Sequence, residues 1–143
     1  MPTEILPLFV YGSLRSGFQH PAYTYISRFF NLIGTATVNG DLYDMGEFPA
    51  AIPSAIESRR ITGELYMIKN AEEFSWAIGQ LDDYEGINGE PDEPQLYRRD
   101  KTMVSIDGSF VEAWIYWFNG DVTGKPKIEC GDLLLYMEQR KKL

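Results

Sequence analysis

Short apolar runs recur along the chain between breaks rich in glycine, proline and asparagine, a pattern that is typical of β-strands joined by turns. The first run, Pro7–Tyr11, predicts a short buried strand that is ended by Gly12-Ser13. Residues from about Ser16 to Arg28 predict a loop that leads into a short helix after Pro21. The sequence therefore opens with a strand that breaks into a sharp turn.

Two dipeptides, Asn39-Gly40 and Asp107-Gly108, predict β-hairpins because such pairs favour two-residue turns between antiparallel strands. The strand-like runs beside them are Ile33–Val38, Asp41–Tyr43, Leu96–Ile106 and Val111–Phe118. A turn is predicted at Gly46–Pro49 and a further strand at Ile61–Ile68. The last run of the second hairpin is apolar on both faces, which predicts a central strand.

The clearest helix is predicted between residues 70 and 85. Asn70 suits the N-cap position, and Glu73 follows three residues later, as in a capping box. An apolar stripe at helical spacing consists of Phe74, Ile78 and Leu81. Gly86 is a natural residue to end this helix. A last helix is predicted from about Asp132 to Lys142.

These elements together predict one domain over residues 1–143 of mixed α+β class. About six strands joined mostly by short turns favour a largely antiparallel sheet, either open or curled into a small barrel. The helix at residues 70–85 is expected to pack against that sheet. Residues 86–95 are acidic and contain two prolines, which predicts a loop. Such a loop either covers a site or is simply solvated.

Composition narrows the classes of function. The 143 residues are 44% apolar and carry a formal net charge of −8, which favours a folded domain and disfavours nucleic acid or an anionic membrane as partner. No apolar run approaches the roughly 18 residues of a membrane span, and no signal peptide is evident. The single cysteine, Cys130, cannot form an internal disulfide, which fits the reducing cytoplasm. One cysteine and one histidine are too few for a typical zinc site, so none is expected. The oligomeric state stays open.

The carboxylate of Glu85 breaks the local rules of the predicted helix. Glu85 falls four residues beyond Leu81, within roughly 20° of the centre of the apolar stripe, if the helix persists that far. Burial, the helix C-terminus and the like charges of Asp82 and Asp83 would all raise its pKa toward neutrality. A carboxylate with such a pKa is useful as a general base. A frayed helix end with a solvated Glu85 is the alternative.

The turn at Tyr11-Gly12-Ser13-Leu14 is a candidate anion site. A glycine directly after a buried strand permits backbone conformations that other residues avoid. Successive N–H groups in such a turn form a nest that holds a carboxylate or an oxyanion, and Arg15 stands beside it. An ordinary strand-to-loop turn is the alternative.

Taken together, these two segments resemble a known family. Phe9-Val10-Tyr11-Gly12-Ser13-Leu14, with Leu81-Asp82-Asp83-Tyr84-Glu85-Gly86 about seventy residues later, is similar to the γ-glutamylcyclotransferase-like (AIG2-like) family. Two further matches stand in the right order, at Gly46-x-Phe48-Pro49 and at Tyr97-x-Arg99. Leucine after Tyr-Gly-Ser resembles the γ-glutamylamine cyclotransferase branch. The resemblance covers roughly residues 8 to 118.

The resemblance implies a small mixed β-barrel with flanking helices. It also implies an enzyme that cyclises a small γ-glutamyl amine or γ-glutamyl amino acid to 5-oxoproline, with release of the amine and without metal or other cofactor. Glu85 would be the general acid/base, and Tyr11, Gly12, Ser13 and Leu14 would hold the substrate. Tyr97 would orient Glu85 or contact the substrate, unless it is only an aromatic residue of the core.

Two rival functions remain at this point. The first is an enzyme that uses Cys130 as nucleophile and His20 as base, a pairing supported only by the count of such residues. The second is a catalytically silent module on the same fold that binds a small ligand or a partner. Binding without turnover would distinguish the silent module from the enzyme.

Overall fold

The computed structural model describes residues 4–12, 21–46, 48–56, 58–85 and 96–141. The strands are β1 (Leu8–Val10), β2 (Phe30–Asn39), β3 (Asp41–Asp44), β4 (Pro49–Ile52), β5 (Arg60–Ile68), β6 (Tyr97–Ile106) and β7 (Ser109–Phe118). The α-helices are α1 (Pro21–Phe29), α2 (Phe74–Tyr84) and α3 (Leu133–Lys141), and a 3-10 turn at Ala71–Glu73 precedes α2. None of these helices is both long and apolar enough to cross a membrane.

A closed barrel in the order β1-β5-β2-β6-β7 forms the body of the described chain. Its neighbours are antiparallel except where β1 meets β7 in parallel through Leu8 and Trp114. The barrel is therefore mixed but largely antiparallel, and the predicted fold class is confirmed. β3 and β4 form a separate two-stranded sheet. β4 was not predicted from the sequence.

The Asp107-Gly108 hairpin is confirmed, since β6 and β7 pair along their full length. Asp107 has φ of 50° and Gly108 has φ of 79°, as a tight hairpin turn with two left-handed residues requires. The backbone conformation demanded by this turn is thus the one that its sequence favours.

The Asn39-Gly40 hairpin prediction is wrong, because β3 pairs with β4 and not with β2. At Gly40 the chain leaves the barrel wall, and its amide donates to the carbonyl of Arg59 at 2.9 Å. A Cβ at this position would lie 2.8 Å from Cδ1 of Ile61 and 2.9 Å from the carbonyl oxygen of Ile52. Close packing therefore explains the glycine at position 40. In the sequence, the Asn39-Gly40 pair is indistinguishable from a hairpin turn signal.

The helix predictions agree with the structure within a few residues. α1 begins at Pro21, and α2 follows a 3-10 turn whose first amides are capped by Asn70, with Oδ1 accepting from Glu72 at 3.0 Å. The stripe Phe74, Ile78 and Leu81 is buried. The predicted helix stop at Gly86 and the loop at 86–95 lie outside the described residues.

The core divides into two clusters that meet at β1. One lies between the strands and helices α1 and α2, and contains Leu8 and Ile78. The other is made chiefly of residues from the strands and contains Phe9 and Ile115. Because side chains alternate along a strand, the short β1 supplies both clusters. Tyr11, the residue directly after β1, belongs to the second cluster and is buried.

Candidate active site

A cavity of about 270 Å³ lies where β1 ends, beside the last turn of α2 and the start of β6. Tyr11, Gly12, Glu85 and Tyr97 all line it, so residues that are far apart in sequence meet at one place. Phe48, directly before β4, and Pro49, the first residue of β4, also line it. The other predicted site residues, Ser13 and Leu14, lie outside the described residues.

The last turn of α2 carries Glu85 to the cavity. α2 ends at Tyr84, but Glu85 still donates its backbone N–H to the carbonyl of Leu81 at 2.9 Å. The side chain therefore follows the helical spiral to the side of Leu81, which is buried. Asp83 is exposed on the opposite side of the same turn.

Burial raises the pKa of the Glu85 carboxyl from its usual 4.5 to about 7, and the nearby charge of Asp82 adds to the rise. These are two of the causes expected from the sequence. Asp83, also expected to contribute, points away and is not among the causes. With a pKa near 7 the carboxyl can both accept and donate a proton at neutral pH.

Three tyrosines surround Glu85, and each hydroxyl proton is already committed to an acceptor. The hydroxyl of Tyr97 donates to the carbonyl of Pro49 at 2.9 Å. The hydroxyl of Tyr11 donates to the carbonyl of Tyr116, whose own hydroxyl donates to Asp82 at 2.8 Å.

Burial raises the pKa of each of these tyrosines well above 10, and the charge of Glu85 adds to the rise, so all three stay protonated at neutral pH. The oxygen atoms of Tyr11 and Tyr97 therefore offer lone pairs rather than protons, and the Tyr11 oxygen already accepts from the backbone N–H of Ala51. Together with the carboxylate of Glu85 they make a wall of acceptors. Such a wall suits a ligand that presents N–H groups.

Space beside Pro49, rather than the expected backbone freedom, accounts for the glycine at position 12. Gly12 is not among the described residues of positive φ, which are Gly46, Asp107, Gly108, Gly124 and Gly131. A Cβ at Gly12 would instead stand 3.1 Å from Cγ of Pro49, across the cavity wall. The limited space at the wall, rather than a left-handed backbone, favours glycine here. The nest itself depends partly on Ser13 and Leu14 and stays a prediction.

Sequence reasoning missed the role of Asp82, which follows Leu81 at the flank of the apolar stripe and was considered only as a like charge near Glu85. Asp82 is buried and accepts two hydrogen bonds from Arg99, at 2.7 Å from Nε and 3.0 Å from Nη2. The Tyr97-x-Arg99 spacing was the available signal, since residues two apart on a strand share a face. It could not be read without knowing that α2 packs across the start of β6.

Only one member of the rival pair of nucleophile and base, Cys130, lies in the part of the chain that the structure describes. Cys130 is exposed and does not line the cavity, and His20 lies outside the described residues. Within the described ranges, no three histidine, cysteine, aspartate or glutamate side chains are grouped as metal ligands.

Comparison with known proteins agrees with this architecture. The family described as "Gamma-glutamyl cyclotransferase, AIG2-like" matches residues 8–135. The chain belongs to this family. A putative gamma-glutamylcyclotransferase of Methanocaldococcus jannaschii is 33% identical over 116 residues, which cover 78% of this chain and 82% of the relative.

A second relative has a more specific name. The gamma-L-glutamyl-butirosin B gamma-glutamyl cyclotransferase of Niallia circulans is 30% identical over 115 residues, which cover 80% of this chain and 67% of the relative. Among solved structures, an AIG2-like protein of Mus musculus superposes with a TM-score of 0.65 at 22% identity, covering 89% of this chain and 88% of that chain. At that identity the likeness shows the fold.

Proposed function

We propose that this protein cyclises a small γ-glutamyl amine or γ-glutamyl amino acid to 5-oxoproline and releases the attached amine. The observation that carries the proposal is Glu85, a largely buried carboxyl with a pKa of about 7 in a cavity that also contains Tyr11, Gly12 and Tyr97. Membership of the γ-glutamyl cyclotransferase family supports it. So does the relative that is named as the gamma-glutamyl cyclotransferase of gamma-L-glutamyl-butirosin B.

In the proposed reaction, the α-nitrogen starts as an ammonium group and loses two protons through Glu85. The carboxylate takes the first proton, and the neutral nitrogen then attacks its own γ-carbonyl carbon, so that a new N–C bond closes the five-membered ring. Glu85 gives this proton to the leaving nitrogen as the original γ-amide bond breaks, and the second proton of the α-nitrogen follows the same route. 5-Oxoproline keeps one N–H and the amine leaves protonated, so atoms and charge balance with no oxidant, reductant or cofactor.

The raised pKa of Glu85 is what makes the first transfer feasible. A free α-amino group has a pKa of about 8. An ordinary glutamate, with a pKa near 4.5, would take that proton at a large energetic cost. A carboxyl with a pKa of about 7 lies close to the amine, so the transfer in either direction is nearly balanced.

The remaining site residues hold the substrate in this proposal. The acceptor oxygens of Tyr11 and Tyr97 hold the N–H groups of the α-amine beside Glu85. The backbone N–H groups of the turn Gly12-Ser13-Leu14 hold the substrate carboxylate or the oxyanion that develops on the γ-carbonyl. Because the reaction is intramolecular, holding the glutamyl chain folded supplies a large part of the acceleration.

A cytoplasmic setting belongs to the same proposal. Cys130 has no second cysteine with which to form an internal disulfide, which fits a reducing compartment.

An assay for 5-oxoproline tests the proposal directly. Purified protein is incubated with γ-glutamyl amino acids, γ-glutamyl-ε-lysine and glutathione, and Glu85→Gln is measured alongside. We expect the wild type to form product and Glu85→Gln to be slower by about a hundredfold or more, the range for lost general acid–base catalysis. Asp83→Asn, which changes a carboxylate on the exposed side of the same helical turn, is the matched control and should retain activity.

The outcomes separate the enzyme from a silent module. Turnover by Glu85→Gln at the wild-type rate would contradict the mechanism. No product from any substrate, together with a higher melting temperature in the presence of 5-oxoproline, would favour a binding module on the same fold.

A further inference from the structure

A network of charged and polar side chains joins the last turn of α2 to the barrel wall. Asp82 accepts the guanidinium fork of Arg99 from β6 at 2.7 and 3.0 Å, and the hydroxyl of Tyr116 from β7 at 2.8 Å. Arg99 is in turn held from its other side, with its guanidinium carbon 4.5 Å from the centre of the Trp114 ring. Two-pronged pairs of this kind fix orientation as well as distance.

The location of this network matters because Glu85 follows Asp82 by three residues. Side chains three apart on a helix lie on the same face. A rotation or shift of the last turn of α2 would move Glu85 away from Tyr11 and Tyr97 across the cavity. The network attaches that turn to two strands at once. Among the described residues of α2, Asp82 is the one buried polar side chain.

We propose that Asp82, clamped by Arg99 and Tyr116, is the positioning residue that holds Glu85 at the cavity and sets the charge Glu85 experiences. The inference rests on the proposed function, in which Glu85 is the general acid/base. Asp82 itself does not line the cavity, and it acts through Glu85.

The electrostatic part of this role follows from the groups that face Glu85. From its own helix these are Asp82 and Tyr84, from β6 Tyr97, from β7 Tyr116, and from the end of β1 Tyr11. Burial raises the pKa of Tyr11, Tyr97 and Tyr116, so these three are neutral at pH 7. Asp82 is therefore the negative charge in this set, and Arg99 is the positive charge that offsets it.

Removing either charge should move the proton affinity of Glu85, and in opposite directions. In Asp82→Asn the like charge is gone and Arg99 is uncompensated, so ionisation of Glu85 becomes easier. In Arg99→Gln the offsetting charge is gone, so ionisation becomes harder. If the pair had only a structural role, both variants would lose stability or activity, but the pKa of Glu85 would not move in opposite directions.

The test is a pH titration of the Glu85 side-chain carboxyl, followed by carbon NMR in the free protein. From the wild-type midpoint near pH 7, we expect Asp82→Asn to move the midpoint down by about one pH unit and Arg99→Gln to move it up. Asp83→Asn is the matched control and should leave the midpoint unchanged. Arg99→Lys keeps the charge but loses the fork. It should keep the midpoint while lowering kcat.

Midpoints that stay in place in both Asp82→Asn and Arg99→Gln, or that move in the same direction, would overturn the inference. If Asp82→Asn fails to fold, as shown by circular dichroism, the contrast between Arg99→Gln and Arg99→Lys decides alone. The titration needs no turnover. A wild type without cyclase activity would therefore defeat the proposed function, while the titration would still show whether this network controls Glu85.

For an active enzyme, the acid limb of the kcat/KM profile provides the second readout. It should move in the same direction as the NMR midpoint in each variant, because that limb reports the free enzyme's essential base. A displaced midpoint with an unmoved acid limb would contradict the link between the network and catalysis.

Discussion

The hydroxyl of Tyr97 donates a hydrogen bond of 2.9 Å to the carbonyl of Pro49, and this bond ties the first residue of β6 to the first residue of β4. The ring of Phe48 stands against the Tyr97 ring with centroids 6.2 Å apart. Pro49 also closes on Gly12 from the other side. The turn at Phe48-Pro49 is therefore the element through which the strands around the cavity are held in contact.

Tyr97→Phe should weaken this wall without unfolding the protein. The carbonyl of Pro49 loses its donor, which we expect to lower the free energy of unfolding by about 1 kcal/mol. The cavity also loses one acceptor oxygen, so KM should rise more than kcat falls. Substrate-dependent kinetics and thermal melts measure both effects. Tyr43→Phe, which removes a hydroxyl away from the cavity, is the control, and an unchanged KM for Tyr97→Phe would contradict its role in binding.

Glu85→Gln should stabilise the protein at pH 8 and have little effect at pH 5. The folded pKa of about 7 lies above the ordinary 4.5, so the folded state binds more protons than the unfolded chain between these values. The wild type therefore loses free energy of unfolding as the pH rises from about 4.5 to 7, and glutamine does not titrate. The difference at pH 8 should reach up to about 3 kcal/mol.

Paired denaturant melts of wild type and Glu85→Gln across this pH range check the prediction. Asp83→Asn again serves as the comparison, since an exposed carboxylate should not show this pattern. Equal gains at pH 5 and pH 8 would mean that Glu85 is not held in a disfavoured ionised state.

Gly12→Val should damage ligand binding through the cavity wall. A Cβ at this position stands 3.1 Å from Cγ of Pro49, and valine adds two methyl groups to that Cβ at the wall of the cavity. We expect a graded series, with Gly12→Ala mildly and Gly12→Val strongly raising the Kd for 5-oxoproline. Isothermal titration measures the affinities. Full affinity in Gly12→Val would remove Gly12 from the binding site.

Substitution of two other glycines by alanine should change the free energy of unfolding in opposite directions. Gly79, within α2, has no heavy atom within 4 Å of an added Cβ, so Gly79→Ala should stabilise by about 0.5–1 kcal/mol through helix propensity. Gly63 would place a Cβ 2.2 Å from the carbonyl oxygen of Val10, so Gly63→Ala should force β1 and β5 apart. Chemical denaturation of both variants compares them, and a neutral Gly63→Ala would contradict this close approach.

Local signals in the sequence predicted the elements whose stability is local. The Asp107-Gly108 turn and the stripe of α2 depend on neighbours within a few residues, and both were readable. The same was true of Glu85, because its direction follows from helical spacing alone.

Contacts between distant segments were not readable in the same way. Asn39-Gly40 carries a hairpin signal, yet the glycine serves the packing of Ile61 and Ile52. The burial of Asp82 depends on Arg99 and Tyr116, which the barrel brings to α2 from later strands. Whether a side chain at the flank of an amphipathic stripe is exposed or buried depends on such partners, which helical spacing does not reveal.

Because β1 closes the barrel, the cavity beside it is expected to form late in folding. β6 and β7 can zip from their own turn, whereas Tyr11 bonds to Tyr116 across 105 positions of sequence. Closing a long loop costs chain entropy before any contact forms, so we expect the hairpin to form early and β1 to dock late. α2 is local in sequence and would also precede the docking of β1, so a partly folded chain would possess Glu85 without the cavity wall made by Tyr11 and Gly12.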